Sequence, residues 1–383
     1  MQYRKFGKLD WQASALGFGT MRLPVINNVW KHIDEEAAIR MLRYAIDSGV
    51  NYVDTAYVYH GGNSELLLGK ALQDGYRTKT RVATKMPSFL IKSRADFDRI
   101  FGEQLERLQT DNIDYYLLHG LDKDKWPLMR DFKIFDWAEK KMAKGQIGYL
   151  GFSFHDDYPV FKEIVDYYDS WTFCQIQYNY MDEKFQAGSK GLRYAAGKGL
   201  AVVIMEPIRG GQLSRLPEQA AKLFDTARRK SGPAEWALRW VWHHPGVSVV
   251  LSGMSNMQQV TENVESANHY GASTLLPDEA DLVKKVRSVY QKLAPVPCTG
   301  CGYCVPCPNG VAIPQIFSQY NEGVMYDDQV AAQQRYSNSP WAIPESQRPG
   351  NCVECRKCEE VCPQKFPIAE SLKEARQYLE AGN

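Results

Sequence analysis

Short apolar runs alternate with amphipathic stretches along the chain from about residue 15 to residue 267. Eight of these runs are three to five residues long and apolar almost throughout. Runs of this kind are typical of parallel strands that are covered on both faces. The pattern therefore predicts eight strands, at residues 16–19, 51–53, 81–84, 115–118, 148–152, 174–177, 201–205 and 248–251.

The stretches between the runs carry the periodicity of amphipathic helices, as where Met41, Leu42 and Ala45 share one face. The predicted helices span residues 35–48, 64–72, 97–108, 132–143, 160–167, 192–197, 233–243 and 257–267. Eight strand–helix units in about 250 residues predict an α/β fold, the (β/α)8 TIM barrel. A doubly wound sheet is the alternative, although its Gly-rich turn requires a third glycine that Gly17-Phe18-Gly19 lacks.

Further elements are predicted on both sides of the barrel pattern. Residues 3–15 suit a short hairpin that closes the barrel floor, and residues 278–292 suit a helix. Ala294-Pro295-Val296-Pro297 then resembles a stiff linker. We predict a barrel domain at residues 1–293 and a small, mostly helical domain at 294–383, with helices at 314–320, 327–336 and 369–381.

Composition and charge exclude several classes of function. The net charge of +1 gives no reason to expect nucleic acid or an anionic membrane surface as a partner. No apolar run approaches the roughly 18 residues that a membrane span needs. The opening MQYRKFGKLDW has no apolar signal region, so we expect a cytoplasmic protein.

Eight of the nine cysteines lie in two short runs near the end of the chain, whereas Cys174 lies alone in an apolar stretch and is predicted to be buried core. The runs read Cys298-x2-Cys301-x2-Cys304-x2-Cys307-Pro308 and Cys352-x2-Cys355-x2-Cys358-x3-Cys362-Pro363. This spacing is typical of ligands to two [4Fe–4S] clusters. If the fourth cysteine of each run crosses over, Cys362 completes the first set and Cys307 completes the second.

Three other interpretations of these cysteines stay open. Zinc sites use two separated pairs of ligands, often with histidine, which neither run contains. Disulfides require an oxidising compartment. Clusters that serve only to hold the tail together are also compatible with the spacing. The first run has two residues before Cys307, where the bacterial pattern has three.

Asp54, Lys85 and His119 each follow one of three consecutive predicted strands, and Tyr59 lies on the loop just after Asp54. We call these four polar residues the tetrad. Because barrel enzymes place their chemistry at the carboxyl ends of strands, these side chains are expected to meet at the barrel mouth. An ammonium beside a phenol favours the phenolate and is expected to lower its pKa. Such a phenol suits protonation of an oxygen that gains negative charge, as a carbonyl oxygen does when hydride attacks its carbon. The tetrad consists of Asp54, Tyr59, Lys85 and His119.

The tetrad matches, in order and in strand position, the Asp–Tyr–Lys–His tetrad of the aldo/keto reductases. Residues 49–56 (GVNYVDTA) and 64–72 (SELLLGKAL) resemble the same family. The resemblance covers residues 1 to about 268, and with the tail the chain is similar to the subgroup that carries a C-terminal ferredoxin-like domain. It implies an oxidoreductase that reduces an aldehyde or ketone, or oxidises the alcohol, with NADP(H) or NAD(H) across the barrel mouth.

The resemblance also implies which residues hold the cofactor. Ser153 and Gln175 match the residues that bind the carboxamide, and Met205 stands where many members have a stacking tyrosine. Family members often have asparagine after the serine that corresponds to Ser153, whereas this chain has Phe154 and His155 there. The loop expected at the pyrophosphate contains Arg209, Gly210, Gly211, Gln212 and Leu213. The adenosine end corresponds to Ser252, Gly253, Met254, Ser255, Gln259, Glu262 and Asn263, without the Lys or Arg that members preferring NADP usually have.

Nicotinamide moves two electrons, whereas each cluster moves one, and no flavin signature is evident. Carbonyl reduction beside structural clusters is therefore one interpretation. The alternative is an electron-transfer module that links the barrel to a one-electron partner such as ferredoxin or flavodoxin. The third interpretation is an electron-relay subunit whose barrel has lost its activity. The aromatic loops at residues 87–93, 121–132 and 180–189 indicate only a small or medium-sized organic carbonyl substrate.

Overall fold

The computed structural model describes residues 1–273, 275–339 and 342–381. The chain divides into two compact units. One contains residues 1–214 and 231–280, and the other contains residues 215–230 and the chain from 281 onward. The division predicted from the sequence, at residues 293 and 294, stays a prediction.

The described residues of the first unit form ten strands, and eight of them close a parallel barrel. The strands are β1 (Tyr3–Lys5), β2 (Gln12–Ser14), β3 (Leu16–Gly19), β4 (Tyr52–Asp54), β5 (Arg81–Met86), β6 (Ile113–Leu121), β7 (Ile147–Phe154), β8 (Phe173–Gln177), β9 (Ala201–Met205) and β10 (Val247–Ser252). Strands β3 to β9 follow one another around the barrel, and β10 pairs with both β9 and β3 to close it. All eight predicted barrel strands are confirmed to within three residues.

Helices alternate with the barrel strands, and further helices build the second unit. They are α1 (Glu35–Asp47), α2 (Asn63–Ala71), α3 (Tyr76–Lys79), α4 (Ala95–Leu108), α5 (Lys125–Asp131), α6 (Ile134–Ala143), α7 (Tyr158–Tyr167), α8 (Gly188–Gly197), α9 (Glu218–Phe224), α10 (Pro233–His243), α11 (Met257–His269), α12 (Pro277–Leu293), α13 (Ile313–Met325), α14 (Gln329–Asn338), α15 (Lys357–Val361) and α16 (Ile368–Leu379). The predicted helices are confirmed, whereas α3, α5, α9 and α15 were not predicted. These four span at most seven residues, too short a stretch to show helical periodicity.

The β1–β2 hairpin closes the floor of the barrel, as the sequence predicts. Phe6, between these strands, is 0% exposed, and its ring centroid lies 4.6 Å from that of Tyr115 and 5.8 Å from that of Tyr52. Gly17 faces the barrel interior: a Cβ atom added there would lie 2.7 Å from a methyl group of Val249, which belongs to the same buried cluster as Phe6. The barrel interior is thus packed with side chains, and the Gly17-Phe18-Gly19 segment is a barrel strand rather than a nucleotide-binding turn.

The second unit is mostly helical around its own apolar core. Phe317 of α13, Tyr336 of α14 and Leu372 of α16 belong to one buried cluster. The amide side chain of Asn321 bonds both backbone groups of Val296, at 3.0 and 2.7 Å, and so attaches the Pro-rich linker to this core. Among the described residues, no helix is both long and apolar enough to cross a membrane.

Candidate functional site

A buried ion pair joins two neighbouring strands at the barrel mouth. Asp54 ends β4, and Lys85 lies in β5. The Lys85 ammonium donates hydrogen bonds to both Asp54 carboxylate oxygens, at 2.7 and 2.8 Å, and to the Thr55 carbonyl at 2.7 Å. The Lys85 and Asp54 side chains are 0% and 3% exposed. Because burying two charges is costly even when they pair, this arrangement is weak evidence for stability and stronger evidence for a functional role.

The other two members of the tetrad lie beside this ion pair. Tyr59 begins the turn Tyr59–Gly62 after β4, and the Lys85 Nζ atom lies 5.0 Å from its ring centroid. The His119 ring, on β6, stands edge-on to the Tyr59 ring at a centroid distance of 6.2 Å. The structure thus brings all four residues of the tetrad together at one end of the barrel.

Burial is the largest single influence on the pKa of each residue of the tetrad. It raises the pKa of the Tyr59 phenol above the ordinary value of 10.0, and the opposing effect of the Lys85 ammonium is smaller. The expectation of a net lowering is therefore wrong, although the lysine contributes with the predicted sign. Burial lowers the pKa of Lys85, but Asp54 and Tyr59 more than compensate, so the net shift is upward and the ammonium is retained.

His119 is held in its neutral form. Burial, followed by the charge of Lys85, keeps the pKa of its imidazole well below 6.5. A neutral ring still carries one N–H, so it can donate a hydrogen bond to a substrate oxygen without adding a positive charge. The mouth therefore combines a protonated phenol with a neutral imidazole at pH 7.

Ser153 and Gln175 lie side by side on β7 and β8, in register with one another. Ser153 accepts a hydrogen bond from the Gly120 amide at 2.7 Å. Gln175 Nε2 contacts the Met205 sulfur at 3.8 Å, while its Oε1 atom is buried and has no hydrogen-bond partner among the residues that the structure describes. An unsatisfied buried acceptor is costly in a native structure. The amide of a nicotinamide ring would satisfy it, so these residues fit the ring that the family resemblance implies.

The loop after β9 bends through four residues in the left-handed region. Gly210 (φ 66°) and Gly211 (φ 101°) belong to this loop and are exposed, whereas Leu213 is buried. Arg209 lies among them but donates to Asp182 at 3.1 Å and to Gln212 at 2.9 Å. The predicted cofactor residue Arg209 is therefore already paired with a carboxylate.

Arg22, which the sequence did not single out, is the cation that lies beside these glycines. A Cβ on Gly210 would meet an Arg22 guanidinium nitrogen at 2.9 Å, and a Cβ on Gly253 would meet the Arg22 stem at 3.2 Å. Its guanidinium forms no hydrogen bond or ion pair within the described residues. The loops after the seventh and eighth barrel strands often form a phosphate site in this fold. Arg22 lies against both of these loops.

The residues predicted for the adenosine end lie in the loop after β10 and on α11. Asn263 donates to Ser252 at 3.1 Å, and both side chains are buried. Met254 is 1% exposed. The exposed residues of this set already have local partners, since the Gln259 amide oxygen accepts from the Ser255 amide at 2.8 Å and the Glu262 carboxylate accepts from Gln258 at 2.8 Å.

Two side chains outside the tetrad complete the wall next to His119. The Phe89 ring lies 5.6 Å from the His119 ring and is 47% exposed. His155 is half-buried just after β7, and its Nδ1 atom lies 3.4 Å from Gln186 Nε2. Burial lowers the pKa of His155 to about 4, so this ring is also neutral at pH 7. This side of the mouth therefore carries one exposed aromatic ring and two neutral imidazoles.

The cysteines of the second unit line two separate cavities. One cavity is lined by Cys298, Cys301, Cys304 and Cys362, and the other by Cys307, Cys352, Cys355 and Cys358. The fourth cysteine of each run thus crosses to the other set. Apolar side chains such as Phe317 and Leu372 line the rest of the cavities together with polar ones such as Gln364 and Arg356. Four thiols around one cavity fit a [4Fe–4S] cluster.

In the described part of the chain, no three His, Cys, Asp or Glu side chains converge closely enough to hold a single metal ion. The two cavities do not conflict with this finding, since a cluster of four irons and four sulfides is larger than one ion. Its ligand sulfurs surround a volume rather than a point.

Comparison with known proteins supports both units. The aldo/keto reductase family profile matches residues 15–275, and the 4Fe-4S dicluster domain profile matches residues 297–366. The uncharacterized oxidoreductase YqkF of Bacillus subtilis is 27% identical over 300 residues, which cover 70% of this chain and 92% of that protein.

Solved structures of aldo-keto reductases share the barrel. The Bacillus halodurans enzyme AKR11C1 in its holo form is 29% identical, with a TM-score of 0.62 over 75% of this chain and 96% of that one. A Klebsiella pneumoniae aldo-keto reductase in complex with NADPH is 23% identical, with a TM-score of 0.61 and the same coverage. Because the family profile spans more than half of the sequence, the chain belongs to the aldo/keto reductase family of oxidoreductases and carries a C-terminal 4Fe-4S dicluster domain.

Proposed function

We propose that this chain reduces an aldehyde or ketone with a nicotinamide cofactor, and that Tyr59 delivers the proton. The observation that carries the proposal is the position of the Lys85 ammonium, which is fully buried, bonded to Asp54 and 5.0 Å from the Tyr59 ring centroid. Membership of the family supports the reaction class. The reverse reaction, alcohol oxidation, uses the same groups in the opposite protonation states.

The residues of the mouth divide the work of this reaction. A bound nicotinamide cofactor supplies a hydride to the carbonyl carbon. Tyr59 donates its phenolic proton to the carbonyl oxygen, and the Lys85 ammonium stabilises the phenolate that is left. Asp54 keeps that ammonium charged and in place. His119 donates a hydrogen bond to the same oxygen and so stabilises the charge that develops on it.

We propose that the cofactor is held by side-chain and backbone groups at the ends of four barrel strands. Ser153 and Gln175 would bind the carboxamide, and Met205 would pack on the ring. Gly210 would present its backbone N–H group to the pyrophosphate, and the Arg22 guanidinium beside it would donate further hydrogen bonds. The second unit would hold two [4Fe–4S] clusters, which accept and release single electrons.

Turnover of anaerobically purified full-length protein tests this proposal. We expect NADPH or NADH to be oxidised on addition of a short aldehyde or ketone, with one alcohol formed per dinucleotide. Arg22→Gln should raise the KM for the dinucleotide roughly 10- to 100-fold with little change in kcat, because a charged hydrogen bond to phosphate is lost equally in the ground and transition states.

Lys144→Gln is the matched control for charge. Lys144 is exposed on the loop before β7, at the opposite end of the barrel, and its loss should leave the KM unchanged. Absence of turnover with both dinucleotides and with every carbonyl class would contradict the proposed function. An unchanged KM in Arg22→Gln would contradict only the phosphate role of Arg22.

A further inference from the structure

Two buried polar residues at the start of α2, Ser64 and Glu65, have no part in the chemistry described above. Both are 0% exposed. A fully buried carboxylate is costly, and replacing such a group together with its ion-pair partner by apolar side chains is often neutral or stabilising. Stability alone therefore gives little reason for a glutamate at this position, and its hydrogen bonds show what it touches instead.

Ser64 is connected to the aspartate side of the buried ion pair. Its hydroxyl donates to Thr20 Oγ1 at 2.7 Å and lies 2.9 Å from Thr55 Oγ1. Thr20 in turn donates to the Asp54 carbonyl at 3.1 Å. Ser64 is thus linked through Thr20 to the Asp54 carbonyl, and directly to the side chain of Thr55, the residue whose carbonyl accepts from the Lys85 ammonium.

Glu65 is connected to the lysine side. Its Oε1 atom accepts from Thr84 Oγ1 at 2.6 Å and from Gln104 Nε2 at 2.8 Å. The same Gln104 amide nitrogen donates to the Lys85 carbonyl at 3.1 Å. Tyr116 donates to the Gln104 amide oxygen at 2.7 Å, which fixes the orientation of that amide. The Lys85 backbone is therefore linked to the buried Glu65 carboxylate through the Gln104 amide.

The second carboxylate oxygen of Glu65 is linked through Arg107 to the loop that carries Tyr59. Glu65 Oε2 lies 3.4 Å from an Arg107 guanidinium nitrogen, which also donates to the Tyr57 carbonyl at 3.2 Å. The guanidinium lies over the Tyr57 ring, 4.2 Å from its centroid. Tyr57 precedes Tyr59 by two residues. The hydrogen bonds of Ser64 and Glu65 therefore extend to the backbone at Asp54 and Lys85 and to the loop that carries Tyr59.

We propose that Ser64 and Glu65 are positioning residues that set the geometry of Asp54, Lys85 and Tyr59. This inference rests on the proposed function, because its consequence is a change in the proton transfer by Tyr59. Neither residue touches the reacting atoms. Their effect passes through the backbone of two strands and one turn, and a shift of about 1 Å at a catalytic group can cost roughly 100-fold in rate.

Glu65→Leu and Ser64→Ala test the proposal, with alcohol oxidation measured across pH in the full-length holoprotein. We expect kcat at pH 8 to fall roughly 10- to 100-fold in Glu65→Leu, with the KM for the dinucleotide within threefold of wild type. As the ammonium moves away, the pKa of Tyr59 rises further, because the lysine lowers it in the native site. Oxidation needs the phenolate, so the alkaline midpoint of kcat should move to higher pH.

Glu65→Gln, which keeps one acceptor oxygen for Thr84 and Gln104, should retain more activity than Glu65→Leu. It also keeps the proposal testable if the leucine variant does not fold. Glu279→Gln is the matched control, since Glu279 forms a buried ion pair with Arg239, at 2.7 and 2.8 Å, outside the tetrad network. It should lower the Tm and leave the pH midpoint and the kcat per folded molecule unchanged.

The outcomes separate this inference from the proposed function. If wild type turns over and the Glu65 and Ser64 variants keep the wild-type kcat and pH midpoint, the positioning role is overturned. A fall in Tm alone, as in the control, would likewise overturn it. If wild type itself reduces no carbonyl and oxidises no alcohol, the proposed function fails first.

Discussion

Replacing Tyr59 with phenylalanine should lower kcat for carbonyl reduction roughly 10²- to 10⁴-fold, the range expected for loss of a general acid. The ring would remain in place beside Lys85 and His119, since only the hydroxyl is removed. The Kd for NADPH or NADH should therefore stay within about twofold of wild type. Steady-state kinetics and a fluorescence titration of the dinucleotide measure the two quantities.

Tyr44→Phe is a suitable control, because this phenol is 40% exposed on α1 and outside the tetrad. It should have wild-type kcat. A Tyr59→Phe enzyme that keeps more than about a tenth of the wild-type rate would show that another group delivers the proton.

The same phenol determines how the rate depends on pH. The pKa of Tyr59 is raised above 10.0, and a group with a raised pKa stays protonated to higher pH. Reduction uses the protonated phenol, so its rate should decline only as the pH passes that raised value. The pKa of His119 lies well below 6.5, so this imidazole does not titrate near neutral pH. Reduction in wild type should thus be nearly flat between about pH 7 and 9.

Substitution of single cysteines should remove clusters in a crossed pattern. Wild type reconstituted without oxygen should contain about eight irons and eight acid-labile sulfides per chain, as two [4Fe–4S] clusters require. Cys307→Ser removes a thiol from the cavity of the second run, and Cys362→Ser removes one from the cavity of the first. Each should reduce the iron content by about half, as measured by chemical iron and sulfide assay.

Double variants identify which cluster each fourth cysteine serves. Cys307→Ser with Cys355→Ser should lose no more iron than either variant alone, because both thiols line one cavity. Cys307→Ser with Cys301→Ser should lose nearly all iron. Cys174→Ala is the control, since Cys174 is buried in β8 far from these runs in sequence. Iron near four in wild type, or additive losses in the first double variant, would contradict the crossed arrangement.

The barrel could be predicted from the sequence because its signals are local. A strand covered on both faces is apolar at every position, so β9 and the other barrel strands are visible as short runs. The convergence of Asp54, Lys85 and His119 follows from these runs, because the carboxyl ends of parallel strands in a closed barrel face the same mouth. The cysteine spacing allows the fourth cysteine of each run to cross over without requiring it, and the two cavities provide the evidence that Cys307 and Cys362 do so.

Features that depend on tertiary neighbours could not be predicted. Arg22 lies beside Gly210 and Gly253 because β10 pairs with β3 and so brings the first loop of the barrel next to its last two. Nothing in its own segment indicates that contact. The upward shift of the Tyr59 pKa depends on the degree of burial, which the residue types near it do not reveal. Glu65 is in a helix that appears ordinary in sequence, and only its partners show its setting.

The source of the hydrogen added to the carbonyl carbon tests the central claim most directly. A single turnover would be run in ordinary water with a dinucleotide deuterated at the transferable position, and the alcohol product would be analysed by mass spectrometry. The account predicts about one deuterium on the former carbonyl carbon, because the tetrad supplies only the proton on oxygen. Hydrogen from the solvent at that carbon would contradict it and would indicate stepwise delivery of single electrons and protons.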